Sequence, residues 1–332
     1  MLTTDLWQST GQKIYIIHEN DAWVVPLHAA LDSLGLPYAD LFVDAGSIDF
    51  SLEPPEGVYY NRMSASSHTR GHRYAIELTD VLLAWLEAHG RRVVNSRTSL
   101  ALERSKVAQY AALSRFGIPT PVTRAATGNE AILAAATAFD GPFVVKPNRG
   151  GKGLGVQLFR SATALERALQ SGELPESIDG VMLVQQYVEA TSPTITRMEF
   201  IGGEFFYAVR VDTSAGFELC PADACAPDAA VCEPQQTRPR FAVIPNFSHS
   251  LIARCERFLA AHDAEIAGIE FIEDKQGRPF VYDVNFNTNY NPEAEEAAGE
   301  YGMKAIAAFL GSELAKLPAV HLVGVRRAPV AV

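Results

Sequence analysis

Apolar residues along this chain recur with two different periods, and the changes of period divide it into strands and helices. Lys13-Ile-Tyr-Ile-Ile17 reads as a short apolar strand, and Trp23, Val24, Leu27, Leu31 and Leu34 then follow at helical spacing until Gly35 and Pro37 stop them. The pattern predicts a second strand at 57–61, a polar loop, a helix near 74–89 and a third strand at 92–95. Further on it predicts helices near 102–116 and 130–139, with strands at 121–124, 143–147, 156–159 and 182–188. A hairpin turns at Gly202-Gly203 between 196–201 and 204–211, and a helix near 250–262 leads into a second hairpin. The segment 212–246 shows no period. Loops of that length inside a compact protein are usually functional or mobile.

The second hairpin is the most informative stretch. Gly268-Ile-Glu-Phe-Ile-Glu273 passes through Asp274-Lys-Gln-Gly277 into Arg278-Pro-Phe-Val-Tyr-Asp-Val-Asn-Phe-Asn287. Alternation puts Asp283, Asn285 and Asn287 on one face and Tyr282, Val284 and Phe286 on the other. Glu270, flanked by Ile269 and Phe271, can join the polar set from the partner strand. Two carboxylates and an amide carbonyl are hard oxygen ligands suited to Mg²⁺. The alternative is the solvated face of an ordinary hairpin, since such alternation is the default for half-buried strands.

A second cluster sharpens that choice. Phe143-Val-Val-Lys-Pro147 runs into Asn148-Arg-Gly-Gly-Lys-Gly-Leu-Gly155, and both flanks of this glycine-rich loop are strand-like. A P-loop would need Gly-x-x-x-x-Gly-Lys-Ser/Thr before a helix, and the sequence has no such string. A dinucleotide fingerprint would need a third glycine where Val156 stands. A kinase loop would come with His-Arg-Asp and Asp-Phe-Gly, both missing from the sequence. What is left is a glycine lid carried on a hairpin. Lys146 enters an apolar strand, which is costly unless the ammonium meets an anion such as phosphate. With an acidic hairpin downstream, the chain holds both requirements of ATP chemistry, phosphate cover and a divalent ion.

Composition narrows the partners. A chain of 332 residues exceeds what one core usually supports, and 48% hydrophobic with 20% charged residues describes a soluble globular protein. Its net charge of −11 argues against nucleic acid as the main partner. The N-terminus lacks a basic n-region and an apolar h-region, and no stretch has the ~20 apolar residues of a membrane span, so a cytoplasmic protein is expected. Cys220, Cys225, Cys232 and Cys255 are too few for a disulfide scaffold and lack zinc-site pairing; reduced thiols are expected.

These motifs, in this order over roughly 59–291, resemble the ATP-grasp superfamily and within it the RimK-like carboxylate–amine ligases. The resemblance implies an α/β chain with α+β elements: an ATP-grasp fold preceded by an open α/β pre-grasp domain. The expected boundaries are 1–96 for that domain, 97–185 for a central ATP-covering unit with the lid, and 186–332 for the metal-bearing unit. It implies ATP contacts from Lys106, Lys146, the lid residues Gly151, Lys152, Gly153 and Gly155, and the hinge residues Gln185, Gln186, Tyr187 and Val188. It implies Mg²⁺, with Mn²⁺ admissible, on Glu270, Asp283 and Asn285. The chain departs from the family pattern at Ser105, where an acidic residue is frequent, and at Ile195-Thr196-Arg197, where Asp-Ile-Arg is common. The loop after Arg210 is acidic, unlike the basic loop of ligases that modify peptide tails.

The implied reaction activates a carboxylate as an acyl phosphate and passes it to an amine. Lys146 and Arg210 are the catalytic candidates, with Arg210 expected on the transferring phosphoryl group. Arg62, Arg70 and Arg73 follow the strand at 57–61, at the carboxyl end of an open sheet where ligands bind. Guanidinium groups there suit a substrate carboxylate, and Asn287 is a further substrate candidate. The expected partners are a small carboxylate and an amine, with a peptide and a homo-oligomer both open, and no membrane or nucleic acid. A phosphotransferase or carboxylase on the same ATP site, or a regulator that only binds ATP, are the competing functions.

Overall fold

A computed structural model describes residues 11–151, 153–214, 216 and 239–318. Three sheets organise them. The first has the order β2-β1-β3-β4, built from β1 (Lys13–His18), β2 (Tyr38–Phe42), β3 (Gly57–Asn61) and β4 (Arg92–Val94). All its pairings are parallel, so both faces need cover, and β1 and β3 are buried nearly throughout. Ile14, Ile16, Val58 and Tyr60 pack under α1 (Asp21–Ser33) and α9 (Gly302–Lys316). Tyr15, Ile17 and Tyr59 pack under α2 (Ala75–Ala88) on the opposite side.

The second sheet, β5-β8-β6-β7, is antiparallel and joins β5 (Thr123–Ala126), β6 (Phe143–Pro147), β7 (Gln157–Phe159) and β8 (Met182–Gln186). One face is covered by α5 (Asn129–Ala136) and α6 (Ala162–Ser171) through Val145, Phe143 and Val184. By alternation Val144, Lys146 and Gln185 face away from those helices. The third sheet orders β11 (Phe241–Val243), β10 (Glu204–Asp212), β9 (Thr194–Ile201), β12 (Ile266–Glu273) and β13 (Pro279–Asn285). Met198, Phe200, Val281, Val284 and Phe286 pack against α4 (Lys106–Ser114) and α7 (Ile252–Ala260). Its other face shares a core with the first sheet through α9, so those two sheets are not separate hydrophobic units. Helix α8 (Pro292–Ala298) precedes α9.

The expected helix near 102–116 is two helices, α3 (Arg97–Glu103) and α4. The break falls at Ser105, whose extended backbone and Oγ, accepting from Ala108 N at 3.3 Å, cap α4. Elements β2, α6, α8 and α9 were not anticipated from the apolar pattern. Cys255 is a free thiol, fully buried in the α7 core, and burial pushes it up to about 12. The other three cysteines lie outside the described residues. No described helix is long and apolar enough to cross a membrane.

Buried polar bonds join the first sheet to the third. Asn95 ends β4 in the left-handed region at φ 60° and is fully buried. Its Nδ2 donates to the carbonyls of Ile266 and Phe286 at 2.9 and 2.8 Å. Its Oδ1 accepts from Glu265 N and Ile266 N, both at 3.0 Å. The whole amide is thereby satisfied by backbone of β12 and the end of β13. Asn95→Ala would strand buried backbone groups and leave a strained φ, so urea unfolding of that variant is expected to show a loss of about 3–5 kcal/mol.

Candidate functional site

Between the second and third sheets, roofed by the glycine loop and closed on one side by the segment after β3, lies a cavity of about 240 Å³. Its metal-type wall is the β12–β13 hairpin. Glu270 and Asp283 are direct cross-strand partners, and the register shifts between Glu270 and Phe271. That bulge sets Tyr282 and Asp283 against one stretch of β12, so both line the cavity. Tyr282 therefore leaves the face it was expected to share with Val284 and Phe286, which stay in the core. Its hydroxyl donates to Glu270 Oε2 at 3.0 Å.

Charges converge on this hairpin. Lys106, at the start of α4, bonds Asp283 Oδ1 through its Nζ. Burial works against the Asp283 carboxylate, yet the Lys106 ammonium outweighs it and holds the acid below the usual range. Glu270 is held above its usual range by burial, although Arg197 Nη1 donates to its Oε1 at 3.0 Å. Arg197 also pairs with Glu199 two residues along β9. Its guanidinium lies across Gly268 of the neighbouring strand, where any β-carbon would collide with it. Glycine at 268 is thus what admits the arginine.

Lys146 is 5% exposed, and its Nζ donates to the Tyr110 hydroxyl at 2.8 Å. Burial first, and Lys106 second, lower its pKa to about 7, with Asp283 and Glu270 only partly opposing. Among the described residues no carboxylate pairs directly with this ammonium.

Of the residues singled out from sequence, the cavity wall brings together Lys106, Lys146, Glu270, Asp283, Asn285 and Asn287. It adds the lid glycines Gly151 and Gly153, and Gln185, Gln186, Tyr187 and Val188 at the end of β8. Gly155 is not part of the wall, and Lys152 lies outside the described residues. The arginines depart from expectation. Arg210 is exposed and, by alternation along β10, points away from the face shared by Val209, Val211 and Arg197. The arginine that reaches the cavity is Arg197.

The three arginines expected to meet substrate do not line the cavity either. Arg62 is 1% exposed; its Nε and Nη2 each donate to Asn287 Oδ1 at 3.2 Å. Nη2 also reaches Thr288 O at 2.9 Å and Asn289 Oδ1 at 3.0 Å. Arg70 pairs with both oxygens of Glu19 at 3.1 and 2.5 Å. Arg73 is exposed, 5.7 Å from the Tyr74 ring centre. Sequence reading had no role for Trp23, Ser64, Ser66, Glu103 or Asn289, all of which line the cavity. For Ser64 and Ser66 there was a usable signal, their place just beyond the carboxyl end of β3.

Residues 103–217 match the family model of the RimK-like ATP-grasp domain. This stretch is a RimK-like ATP-grasp domain. A tetrahydromethanopterin:alpha-L-glutamate ligase of Methanosarcina acetivorans is 29% identical over 143 residues, 41% of this chain and 44% of that protein. The glutamate–LysW ligase ArgX of Sulfolobus acidocaldarius is 33% identical over 122 residues, 36% of this chain and 43% of the relative. The match thus spans less than half the length of these two curated relatives. A RimK domain ATP-grasp protein of Sphaerobacter thermophilus superposes with a TM-score of 0.60 at 20% identity, covering 89% of this chain and 99% of that one. The chain has the ATP-grasp fold, and the α/β architecture with three sheets agrees with it.

The donor set around the hairpin fits a divalent ion. Among the described residues no three His, Cys, Asp or Glu side chains gather as a metal site. The ATP-grasp hairpin instead offers two carboxylates and the amide of Asn285, whose Nδ2 lies 3.5 Å from Asp283 Oδ2. A half-turn of that amide would present its oxygen in the same place. Both carboxylates are paired, Asp283 with Lys106 and Glu270 with Arg197, so a divalent ion would share their remaining oxygen lone pairs with these cations.

Lys146 makes a measurable prediction. Its pKa is depressed, so between about 7 and the unfolded value of 10.5 the unfolded chain binds the extra proton, and this group's contribution to stability improves as pH rises through that window. NMR of the isotopically dimethylated protein is expected to show one lysine titrating near pH 7, and ATP is expected to move that midpoint up.

Proposed function

We propose that this chain is an ATP-dependent, ADP-forming carboxylate–amine ligase. The observation that carries the reading is the meeting of two buried lysines, Lys106 and Lys146, with Glu270, Asp283 and Asn285 in one cavity under a glycine lid. Phosphate is the counter-ion that Lys146 is built for, because it would restore the charge that burial suppresses. In this reading ATP lies with its base against 185–188 and its phosphates under Gly151 and Gly153. Glu270, Asp283 and Asn285 would hold Mg²⁺, which supplies charge neutralisation at the phosphates when bound. ATP and Mg²⁺ are the working cofactors of the proposal.

A substrate carboxylate oxygen attacks the γ-phosphorus, and the bond from that phosphorus to the bridging oxygen of ADP breaks. The acyl phosphate then receives the amine nitrogen at its carbonyl carbon. The carbon–oxygen bond to phosphate breaks, inorganic phosphate leaves, and the nitrogen gives up a proton to yield the amide. Lys106 and Lys146 screen the phosphate oxygens through both steps. In this reading Arg197, which lines the cavity, takes the role expected of Arg210. Its fixed pairing with Glu199 and Glu270 orients it, which suits charge stabilisation without reorganisation.

We assign 1–96, 97–185 and 186–332 to the pre-grasp, ATP-covering and metal-bearing units, the second boundary falling at the last residue of β8. The net charge of −11 is consistent with small anionic substrates held by a local basic pocket rather than a nucleic-acid partner, and we place the protein in the cytoplasm. Lys146→Ala and Asp283→Ala are each expected to lower ATP-dependent phosphate release by about 10²–10³-fold or more with far-UV circular dichroism unchanged. Turnover retained by either folded variant would remove the proposal.

A further inference from the structure

The wall that the N-terminal sheet contributes to the cavity has its own chemistry. A single carboxylate assembles it: Glu103 accepts from Ala65 N at 3.0 Å with one oxygen and from Phe286 N at 2.9 Å with the other. The residues on either side of those two amides, Ser64 and Ser66 on one segment and Asn285 and Asn287 on the other, all line the cavity. Trp23 and Asn289 extend the same wall.

The arginines beneath this wall are occupied in holding it. Arg62 takes the Oδ1 atoms of both Asn287 and Asn289, which leaves their Nδ2 groups as the donors on offer. Neither Nδ2 has a partner among the described residues. Arg70 donates to Ser66 Oγ at 3.1 Å and lies 4.6 Å from the Trp23 ring centre, while Glu19 neutralises it. Arg149, at the root of the lid, is paired with Glu77 at 2.6 Å. Ser64 and Ser66 share a hydroxyl–hydroxyl bond of 2.9 Å. The wall therefore shows carboxamide nitrogens, hydroxyls and an indole, with each nearby guanidinium already matched to an acid or an amide oxygen.

We infer that this wall takes an uncharged amide-type group, a carboxamide or a peptide unit, on the amine substrate rather than a free carboxylate. The inference rests on the ligase reading above and names the substrate class of that site. A carbonyl oxygen is satisfied by two Nδ2 donors and a hydroxyl. A buried carboxylate would need a cation as well, and it would also face the Glu103 carboxylate. The lid enforces the fit. A side chain at Gly151 would press on Ser66 Cβ at 3.2 Å, so backbone closes directly onto the hydroxyl pair.

The test uses the full chain with ATP, Mg²⁺ and a pool of small carboxylic acids, reading phosphate release. The amines are matched pairs, glycine against glycinamide and L- and D-alanine against their amides. The amides are expected to give kcat/KM at least tenfold above their acids. Asn289→Lys, or Ser66→Lys should the first fail to fold, is expected to move that ratio at least tenfold towards the acids. Acids preferred by the wild type, or a ratio unmoved in both folded variants, overturns the inference and leaves the ligase reading standing. Amide-stimulated release that survives Lys146→Ala overturns the ligase reading instead. Silence with every pair overturns the amide assignment.

Discussion

The cavity depends on one balance: buried carboxylates of a single hairpin set against buried cations from three other elements. Glu270 and Asp283 sit side by side across β12 and β13, where two like charges would repel strongly. Lys106 from α4 and Arg197 from β9 relieve that repulsion. Each brings an element into register with the hairpin. The start of α4 cannot drift without exposing Asp283, and β9 cannot shift without separating Arg197 from Glu270. Among the described residues of the cavity Lys146 is left undercompensated, and burial shows its cost as a pKa near 7. In the proposed reading, this suppressed positive charge on one wall and the carboxylates on the other suit a polyanion that arrives with a metal ion.

Around that balance, buried polar side chains rather than apolar contacts set the relative positions of the sheets. Asn95 ties the first sheet to β12 and the end of β13 with its amide fully used. Gln109 on α4 does the same for Val284, donating to its carbonyl at 2.8 Å and accepting from its amide at 3.1 Å. Glu103 and Arg62 complete the set, each joining the segment after β3 to residues 286–289. Apolar packing is non-directional and would tolerate sliding. These bonds do not, since each lost partner strands a buried group. Hence the part of the cavity built by the segment after β3 and by the β12–β13 hairpin is held in register by directional bonds.

What could be read from the sequence was what local period encodes. The acidic alternation of 283–287, the lysine in an apolar strand and the glycine lid each declare themselves within a few residues, and the structure gathers all of them around one cavity. Failures came where a partner decides. A bulge opposite Glu270 turned Tyr282 towards the cavity, and the hairpin sequence carries no mark of it. Arg197 and Arg210 sit on adjacent strands, and only the strand pairing shows that they face opposite sides. Ser105 split a helix that the apolar spacing ran straight through, because a capping hydroxyl leaves that spacing unchanged.

The arginines after β3 show why residue type and position were insufficient. A guanidinium at the carboxyl end of an open sheet is a reasonable ligand for a carboxylate, but only if it is not already spent. Arg62 and Arg70 are spent, on carboxamide oxygens and on Glu19, and what they present to the cavity is the orientation of other side chains. Such an arrangement separates support from selection. The arginines and Glu103 hold the wall in place, while Trp23, Ser64, Ser66 and Asn289 decide what fits against it. In the proposed reading, exchanging those four neutral side chains would change the amine without disturbing the lysines and carboxylates assigned to ATP.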